Sequence, residues 1–349
     1  MIRTARAAGG CMRLPARLAA LGGAAVLSLA VGACGGDDDD ADAGGAAAVT
    51  IGLITKQETN PYWVTMRAVA HETAEEHGAR LLTAAGNSDV DNRSQVAALQ
   101  YMTARRAKGV LIAPADSEAI VPAIEAARRA GVTVIAVDTP PEPRSAADAL
   151  FATDNRQAGR LIGRYARAKA EEQDIEPRIA MLELSPDITS GELRHDGFLD
   201  GFGIEEGDPQ IVGSVNTQGD RVRGQRGMAR LLEQHPDVNI VYAVNEPAAF
   251  GAAAALDAAG KGHGDVILVT VDGGCDAIKD GVRPGVFDAT AQQYPENMAR
   301  EGVKALVEAA RGGPKPAGFL NTGVELITGD AVPGVESRNT AFGVRNCWG

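Results

Sequence analysis

From Val49 to about residue 311, short apolar β-branched runs alternate with Ala-rich amphipathic stretches, and polar loops separate them. This alternation is the strongest constraint on the fold. Runs with a two-residue period or continuous apolar character make strands, and stretches with a period near 3.6 make helices. Strands are expected over 49–54, 80–84, 109–112 and 133–137, with helices over 62–77, 93–106 and 120–130. The pattern then restarts, with helices over 157–169, 191–202, 221–234, 248–259 and 295–311 and strands over 178–184, 210–214, 240–244, 266–271 and 286–290. A strand that is followed by a helix before the next strand gives a parallel sheet with helices on both faces. The predicted class is therefore α/β, with two doubly wound parallel-sheet lobes joined by a hinge. The first lobe is expected to comprise 49–153 plus about 294–321, and the second 154–293 plus about 322–349, with crossings near Thr153, Gln292 and Asn321.

The chain has 34 Lys and Arg against 46 Asp and Glu, a net charge of −12, which argues against a nucleic-acid surface. Aromatic content of 4% leaves little material for base stacking. The first residues differ in kind from the rest. Arg3, Arg6, Arg13 and Arg17 precede an apolar stretch from Leu18 to Ala33 that is short and rich in small residues, as in a secretory signal. It closes on Val31-Gly32-Ala33-Cys34, which resembles the bacterial lipobox, where cleavage precedes the Cys and a lipid joins its sulfur. The expected arrangement is a signal at 1–33, a lipid on Cys34 and a Gly-, Ala- and Asp-rich tether over 34–48, spanning roughly 20 Å as a coil. With Cys11 removed and Cys34 lipidated, Cys275 and Cys347 remain in an exported chain and are expected to form a disulfide; the alternative is two unpaired buried thiols. Neither sits in a Cys-x-x-Cys spacing, so no metal or redox site is expected.

Ligands of open parallel sheets bind beyond the carboxyl ends of the strands. Lys56, Asn60, Tyr62 and Trp63 follow the first strand; Asp89, Asp91 and Asn92 the second; Asp116 and Ser117 the third; Asp138 the fourth. In the second half, Arg194, Asn216, Gln218, Asn245, Glu246, Asp272, Gln292 and Gln293 occupy such positions. Carboxylates that accept from adjacent hydroxyls, a forked guanidinium and amides that do both suit a neutral polyhydroxyl ligand. The competing use of Asp, Asn and Ser at these places is helix N-capping, and for Asn92, Ser117 and Asp154 both uses stand open.

The segments Asn60-Pro61-Tyr62-Trp63, Pro114-Ala115-Asp116-Ser117, Val137-Asp138, Thr153-Asp154-Asn155, Arg194-His195-Asp196-Gly197-Phe198, Asn245-Glu246, Asp272-Gly273-Gly274 and Gln293-Tyr294-Pro295 follow one another in this order. The ordered set resembles the type I periplasmic binding proteins that serve ABC sugar importers, in the ribose-binding group. Asp272-Gly273-Gly274-Cys275 and Asn346-Cys347-Trp348-Gly349 look like the fructose-binding subtype and support the disulfide. The resemblance implies that Asn60 bonds hydroxyls and that Tyr62 and Trp63 sandwich a sugar ring. It implies a hydroxyl contact at Asp91, a pair of hydroxyls on Asp138, and Arg194, Asn245, Asp272 and Gln293 as second-lobe and hinge contacts. Two departures from the ribose binders stand out: Gly219 replaces an aromatic, and the first loop looks one residue longer and includes Lys56. Both favour a monosaccharide other than ribose.

The implied activity is binding by closing lobes and delivery to a membrane permease, with no turnover and no cofactor, by a monomer held at the membrane through its lipid, in a periplasm or on the outer cell surface. A sensory role toward a chemoreceptor or histidine kinase uses the same fold. A LacI-type regulator also shares it, but needs a basic N-terminal helix-turn-helix where this chain has a secretion signal. Enzyme motifs fail: Gly201-Phe202-Gly203 has its next Gly one residue too far for the dinucleotide fingerprint, His71-Glu72 lacks a second His four residues on, and no nucleophile elbow or Walker loop occurs. Asp138 and Asp272 could pass for a glycosidase pair, but read better as hydroxyl acceptors. His71, His77, His195, His235 and His263 are expected on loops or helix surfaces.

Overall fold

The computed structural model describes residues 48–262 and 264–349. The expected signal, the lipid-bearing Cys34, the tether up to residue 47 and His263 lie outside the described residues. The elements are, in order, β1 (Val49–Thr55), α1 (Pro61–Glu76), β2 (Ala79–Ala85), α2 (Asn92–Ala104), β3 (Gly109–Ile112), α3 (Val121–Arg129), β4 (Thr133–Val137), β5 (Ala149–Ala152), α4 (Asn155–Glu172), β6 (Ile179–Glu183), α5 (Thr189–Phe202), β7 (Ile211–Asn216), α6 (Arg221–Gln234), β8 (Ile240–Ala243), α7 (Glu246–Ala258), β9 (Ile267–Asp272), β10 (Ala289–Gln293), α8 (Pro295–Ala310), β11 (Gly318–Asn321), β12 (Val324–Thr328), β13 (Arg338–Asn339) and α9 (Thr340–Arg345). A π-helical stretch, Ala277–Val282, lies between β9 and β10.

Two sheets form, ordered β11-β5-β4-β3-β1-β2 and β13-β12-β10-β9-β8-β6-β7. Every pairing is parallel except β10 with β12. The α/β class with two doubly wound lobes is the observed architecture. Helices cover both faces of each sheet, so central strands such as β3 and β8 are buried along their whole length and read as continuous apolar runs. In the first lobe α1 and α8 share a core with one face and α2 and α3 with the other. In the second lobe α4 and α5 cover one face and α6 and α7 the other. The chain passes between the sheets after β5, after β10 and between β11 and β12.

Several elements differ from expectation. The strand expected over 286–290 lies at Ala289–Gln293, because Val286 and Phe287 donate to the Gly281 carbonyl in a turn, whereas Gln292 and Gln293 are buried and bonded within the sheet. No element was expected at β5 or beyond residue 311, where β11, β12, β13 and α9 form. β11 is exposed along its length and owes its existence to pairing with β5, which its own sequence does not announce.

One packing feature places the site directly. Added Cβ atoms on Gly159 and Gly197 would run into the carbonyls of Arg194 and Arg156, so α4 and α5 touch backbone to backbone. Only residues without a side chain allow this approach. It brings Asn155, the first residue of α4, against Arg194 on α5.

Candidate functional site

Both sheets have a strand-order reversal, at β1/β3 and at β6/β8, and in such sheets the crevice lies beyond the carboxyl ends of the strands there. The two crevices face each other. Asp138 follows β4 and Asp272 ends β9, and both are non-glycine residues in the positive-φ region, at 63° and 112°. Such conformations persist only when the surroundings over-determine them, and hydrogen bonds do so here.

Asp138 Oδ1 accepts from the Tyr62 hydroxyl at 3.0 Å, and Oδ2 accepts from Thr139 Oγ1 at 2.7 Å and lies 3.5 Å from Lys56 Nζ. Lys56 donates to Thr139 Oγ1 at 2.8 Å, and that hydroxyl meets Ser190 Oγ of the second lobe at 2.8 Å. Asp272 Oδ1 accepts from Gln293 Nε2 at 2.7 Å, and Oδ2 from the Glu246 backbone N–H at 3.2 Å. Arg194 lies between the two acids. Its Nε donates to Asn155 Oδ1 at 2.8 Å, and Nη1 to the Val244 carbonyl at 3.0 Å and to Asp272 Oδ1 at 3.4 Å. Asp138, Arg194 and Asp272 are 4%, 3% and 4% exposed, so their charges meet in a desolvated setting where such bonds strengthen.

Burial raises the Asp272 carboxyl to about 6, with Arg194 opposing, and raises the Glu246 carboxyl to about 8, with the charge of Asp272 adding to the effect. Burial also raises Asp89, with Lys56 opposing, and raises the Tyr62 hydroxyl.

These groups enclose a cavity of about 30 Å³ lined by Lys56, Asn60, Tyr62, Trp63, Asp89, Asp138, Leu184, Ser190, Arg194, Asn245, Asp272 and Gln293. It adjoins an open chamber of about 820 Å³ through the shared residues Asn60 and Asp89. Of the eighteen candidates read from the sequence, ten line the inner cavity: Lys56, Asn60, Tyr62, Trp63, Asp89, Asp138, Arg194, Asn245, Asp272 and Gln293.

Asp91 does not. It is the N-cap of α2, accepting from Ser94 N (3.1 Å), Ser94 Oγ (2.7 Å) and both nitrogens of Asn87. These bonds hold its carboxyl far below the usual range. Because α2 starts at Asn92, the residue before it must face the free first-turn amides. The acid that reaches the cavity is Asp89, whose Oδ1 makes no hydrogen bond of standard geometry, as is also true of Trp63 Nε1. The expected helix start at residue 93 put Asn92 in the capping position, and only the observed start at Asn92 makes Asp91 the cap and separates the two acids.

Asn245 also caps a helix, accepting from Ala248 N at 3.1 Å, and donates to the Gly219 carbonyl at 3.2 Å while lining the cavity. Asp154 is the N-cap of α4, Ser117 Oγ accepts from Thr189 N across the lobes, and Asn92 is the first residue of α2 rather than its cap. The expected sandwich is corrected by geometry. The rings of Tyr62 and Trp63 stand at 90° to each other with centroids 4.7 Å apart, so they form two walls of a corner. Consecutive residues at a helix start cannot place two parallel plates on opposite sides of a ring. Lys56 Nζ lies 5.7 Å from the Trp63 ring centroid.

Sequence reasoning passed over Thr139, Ser190 and Leu184, for which no motif existed, and gave Asn155, although part of the segment Thr153-Asp154-Asn155, no role as the buried bridge to Arg194. Cys275 and Cys347 form a disulfide that joins the loop after β9 to the chain's end, with Cα atoms 4.9 Å apart.

Two α/β lobes, three crossings and a buried polar cavity between facing strand ends define a solute-binding protein of the type I periplasmic class. The chain belongs to the periplasmic binding protein domain family, which it matches over residues 51–314. It is 30% identical over 263 residues to the ribose import binding protein of Escherichia coli, covering 75% of this chain and 85% of the relative. It is 28% identical over 288 residues to the D-ribose/D-allose-binding protein of Pseudomonas aeruginosa, covering 80% and 88%. Among solved structures, an ABC transporter solute-binding protein from Agrobacterium vitis with bound D-fucose superposes with a TM-score of 0.73 at 25% identity, covering 80% of this chain and 95% of that one.

Proposed function

We propose that this chain is the lipid-anchored substrate-binding subunit of an ABC importer, which takes a neutral monosaccharide between its lobes and presents the closed form to a permease. The observation that carries this reading is the Asp138–Arg194–Asp272 cluster, in which acids on different lobes share one guanidinium inside a cavity. The cavity holds two cations, Lys56 and Arg194, and three acids, Asp89, Asp138 and Asp272. This near balance favours an uncharged ligand, since an added net charge would be buried without a partner. Sugar hydroxyls can donate to the carboxylates and accept from Lys56 and Arg194, and hydrogen bonds to charged groups contribute about 1.5–3 kcal/mol each. Ligand contacts to both lobes bind the closed form better than the open one, which is the condition for closure.

The Cys275, Cys347 and Trp348 positions support a fructose-like ketose as the particular sugar. The names of the relatives, which speak of ribose and allose, support an aldose as the second reading. Titration calorimetry of the purified chain against fructose, ribose, allose, xylose, galactose, glucose and myo-inositol decides between them. Silence across this panel overturns the sugar reading. Cys34→Ser tests the anchor: the unsubstituted protein should partition with membranes and the variant should not. A sensory partner is the outcome if deletion of a co-encoded permease leaves a sugar response intact.

A further inference from the structure

The end of the chain reaches across the lobes beneath the cleft. α9 sits on the second lobe, where Gly343 packs against Ile327 and Ile278 and its carbonyl accepts from Gln292 Nε2 at 3.2 Å. Five residues on, Trp348 is 5% exposed within the first-lobe core that contains Tyr62, Trp63, Met66 and Met298. The indole N–H donates to the Gln293 carbonyl at 2.7 Å, and the Trp348 carbonyl accepts from Cys275 N at 2.8 Å. The indole meets the Tyr62 ring edge to face, with centroids 5.2 Å apart at 78°. Gly274 makes room for it, since a Cβ there would lie 3.0 Å from the indole.

Two of the residues that Trp348 touches, Tyr62 and Gln293, hold the two acids. Tyr62 Oη is 3.0 Å from Asp138, and Gln293 Nε2 is 2.7 Å from Asp272. We infer that Trp348 is a positioning residue of the cleft, which fixes Tyr62 and Gln293 behind Asp138 and Asp272, and that the Cys275–Cys347 bridge keeps it there. This rests on the sugar-binding reading. The bridge fixes the residue next to Trp348, so the indole stays seated although its own helix belongs to the other lobe. The strap thus adds a packed link between the lobes to the three chain crossings.

The test uses the full chain with its bridge formed, the double variant Cys275→Ala/Cys347→Ala, Trp348→Ala and Trp348→Phe, with D-ribose and D-fructose as titrants. Loss of the bridge and Trp348→Ala should each weaken binding tenfold or more, whereas Trp348→Phe, which keeps a ring against Tyr62, should stay within about threefold. A double-mutant cycle separates positioning from bulk stability. In a Tyr62→Phe background, Trp348→Ala should weaken binding much less than in the native one. Equal affinity with and without the bridge, or full additivity in the cycle, overturns the proposal. If Trp348→Ala does not fold, the bridge variant and Trp348→Phe carry the test. If neither binds the unsubstituted chain, whichever sugar of the wider panel does bind becomes the titrant; if none does, the sugar reading fails and amide hydrogen exchange decides the strap. Faster exchange over 61–66 and 293–298 in the bridge variant supports it, and identical rates sink it.

Discussion

Asp138 and Arg194 belong to different lobes, and their charged atoms lie 3.9 Å apart with both side chains almost fully buried. This contact and the 3.4 Å approach of Arg194 to Asp272 make one guanidinium the centre of the cleft. Its orientation is set by Asn155 and the Val244 carbonyl, neither of which need touch a ligand.

Arg194→Ala and Asp272→Ala should each weaken sugar binding by more than tenfold, a loss above about 1.4 kcal/mol. Either change also leaves a buried partner uncompensated, so Tm should fall while the chain remains folded at 25 °C. Calorimetric titration and thermal unfolding by circular dichroism check both halves. Unchanged affinity in the two variants would place the site elsewhere.

Gly219 has φ of +68°, and a Cβ on it would lie 2.8 Å from Asn245 Nδ2 and 2.9 Å from Asp89 Oδ2. Gly219→Ala should therefore act twice, through a strained backbone worth about 1 kcal/mol and through displacement of two cavity residues. The expected result is a several-fold loss of affinity that exceeds what the fall in Tm explains. Wild-type affinity in this variant would show that Asn245 and Asp89 do not contact the sugar.

Stability should decline toward alkaline pH through Glu246. Its carboxyl rises from 4.5 to about 8 on folding, and that of Asp272 from 3.8 to about 6. A carboxyl raised by folding binds more protons in the native state, so stability falls as pH climbs from the unfolded value to the folded one. Glu246 acts between pH 4.5 and 8 and Asp272 between 3.8 and 6. His195, raised to about 9 by Glu183, loses its contribution between 6.5 and 9 with the same sign. Glu246→Gln should flatten the fall of Tm between pH 5 and 8 without removing the part due to His195. An identical slope in the variant would mean that Glu246 is ionised in the folded chain.

The two tryptophans of the sequence, Trp63 and Trp348, both lie beside the cleft, one lining it and one behind Tyr62. Sugar binding should produce a saturable change in intrinsic emission whose midpoint matches the calorimetric affinity. Trp63→Phe should remove most of the change and Trp348→Phe little of it. The reverse pattern would put the ligand on the far side of Tyr62.

Much of the site was legible because strand ends and helix starts are local. A polar residue after an apolar run sits at a sheet's carboxyl edge whatever the rest of the chain does, which is why Asp138, Asn245, Asp272 and Gln293 could be named; Arg194, inside α5, was named through the family resemblance. Asp91 caps α2 and lies outside the inner cavity, and capping and ligand contact draw on the same residue types. Only the helix start at Asn92 decides between them. Gln292 and Gln293 look like loop residues in sequence, yet complete a buried strand, where the Gly273 and Gly343 carbonyls accept from Gln292 Nε2 and Asp272 accepts from Gln293 Nε2.

By itself, the sequence determined the alternation of strand and helix, hence parallel sheets with covered faces, two lobes and the polar strand ends that line the cleft between them. These follow from periodicity and from the residue next in the chain. Only the tertiary structure decided which carboxylates share Arg194, that Tyr62 and Trp63 form a corner, and that Trp348 reaches the opposite lobe's core. Those outcomes depend on contacts between residues up to 286 positions apart, as in the Tyr62–Trp348 pair. Such contacts are fixed by close packing and mutual hydrogen bonding, which no local pattern records.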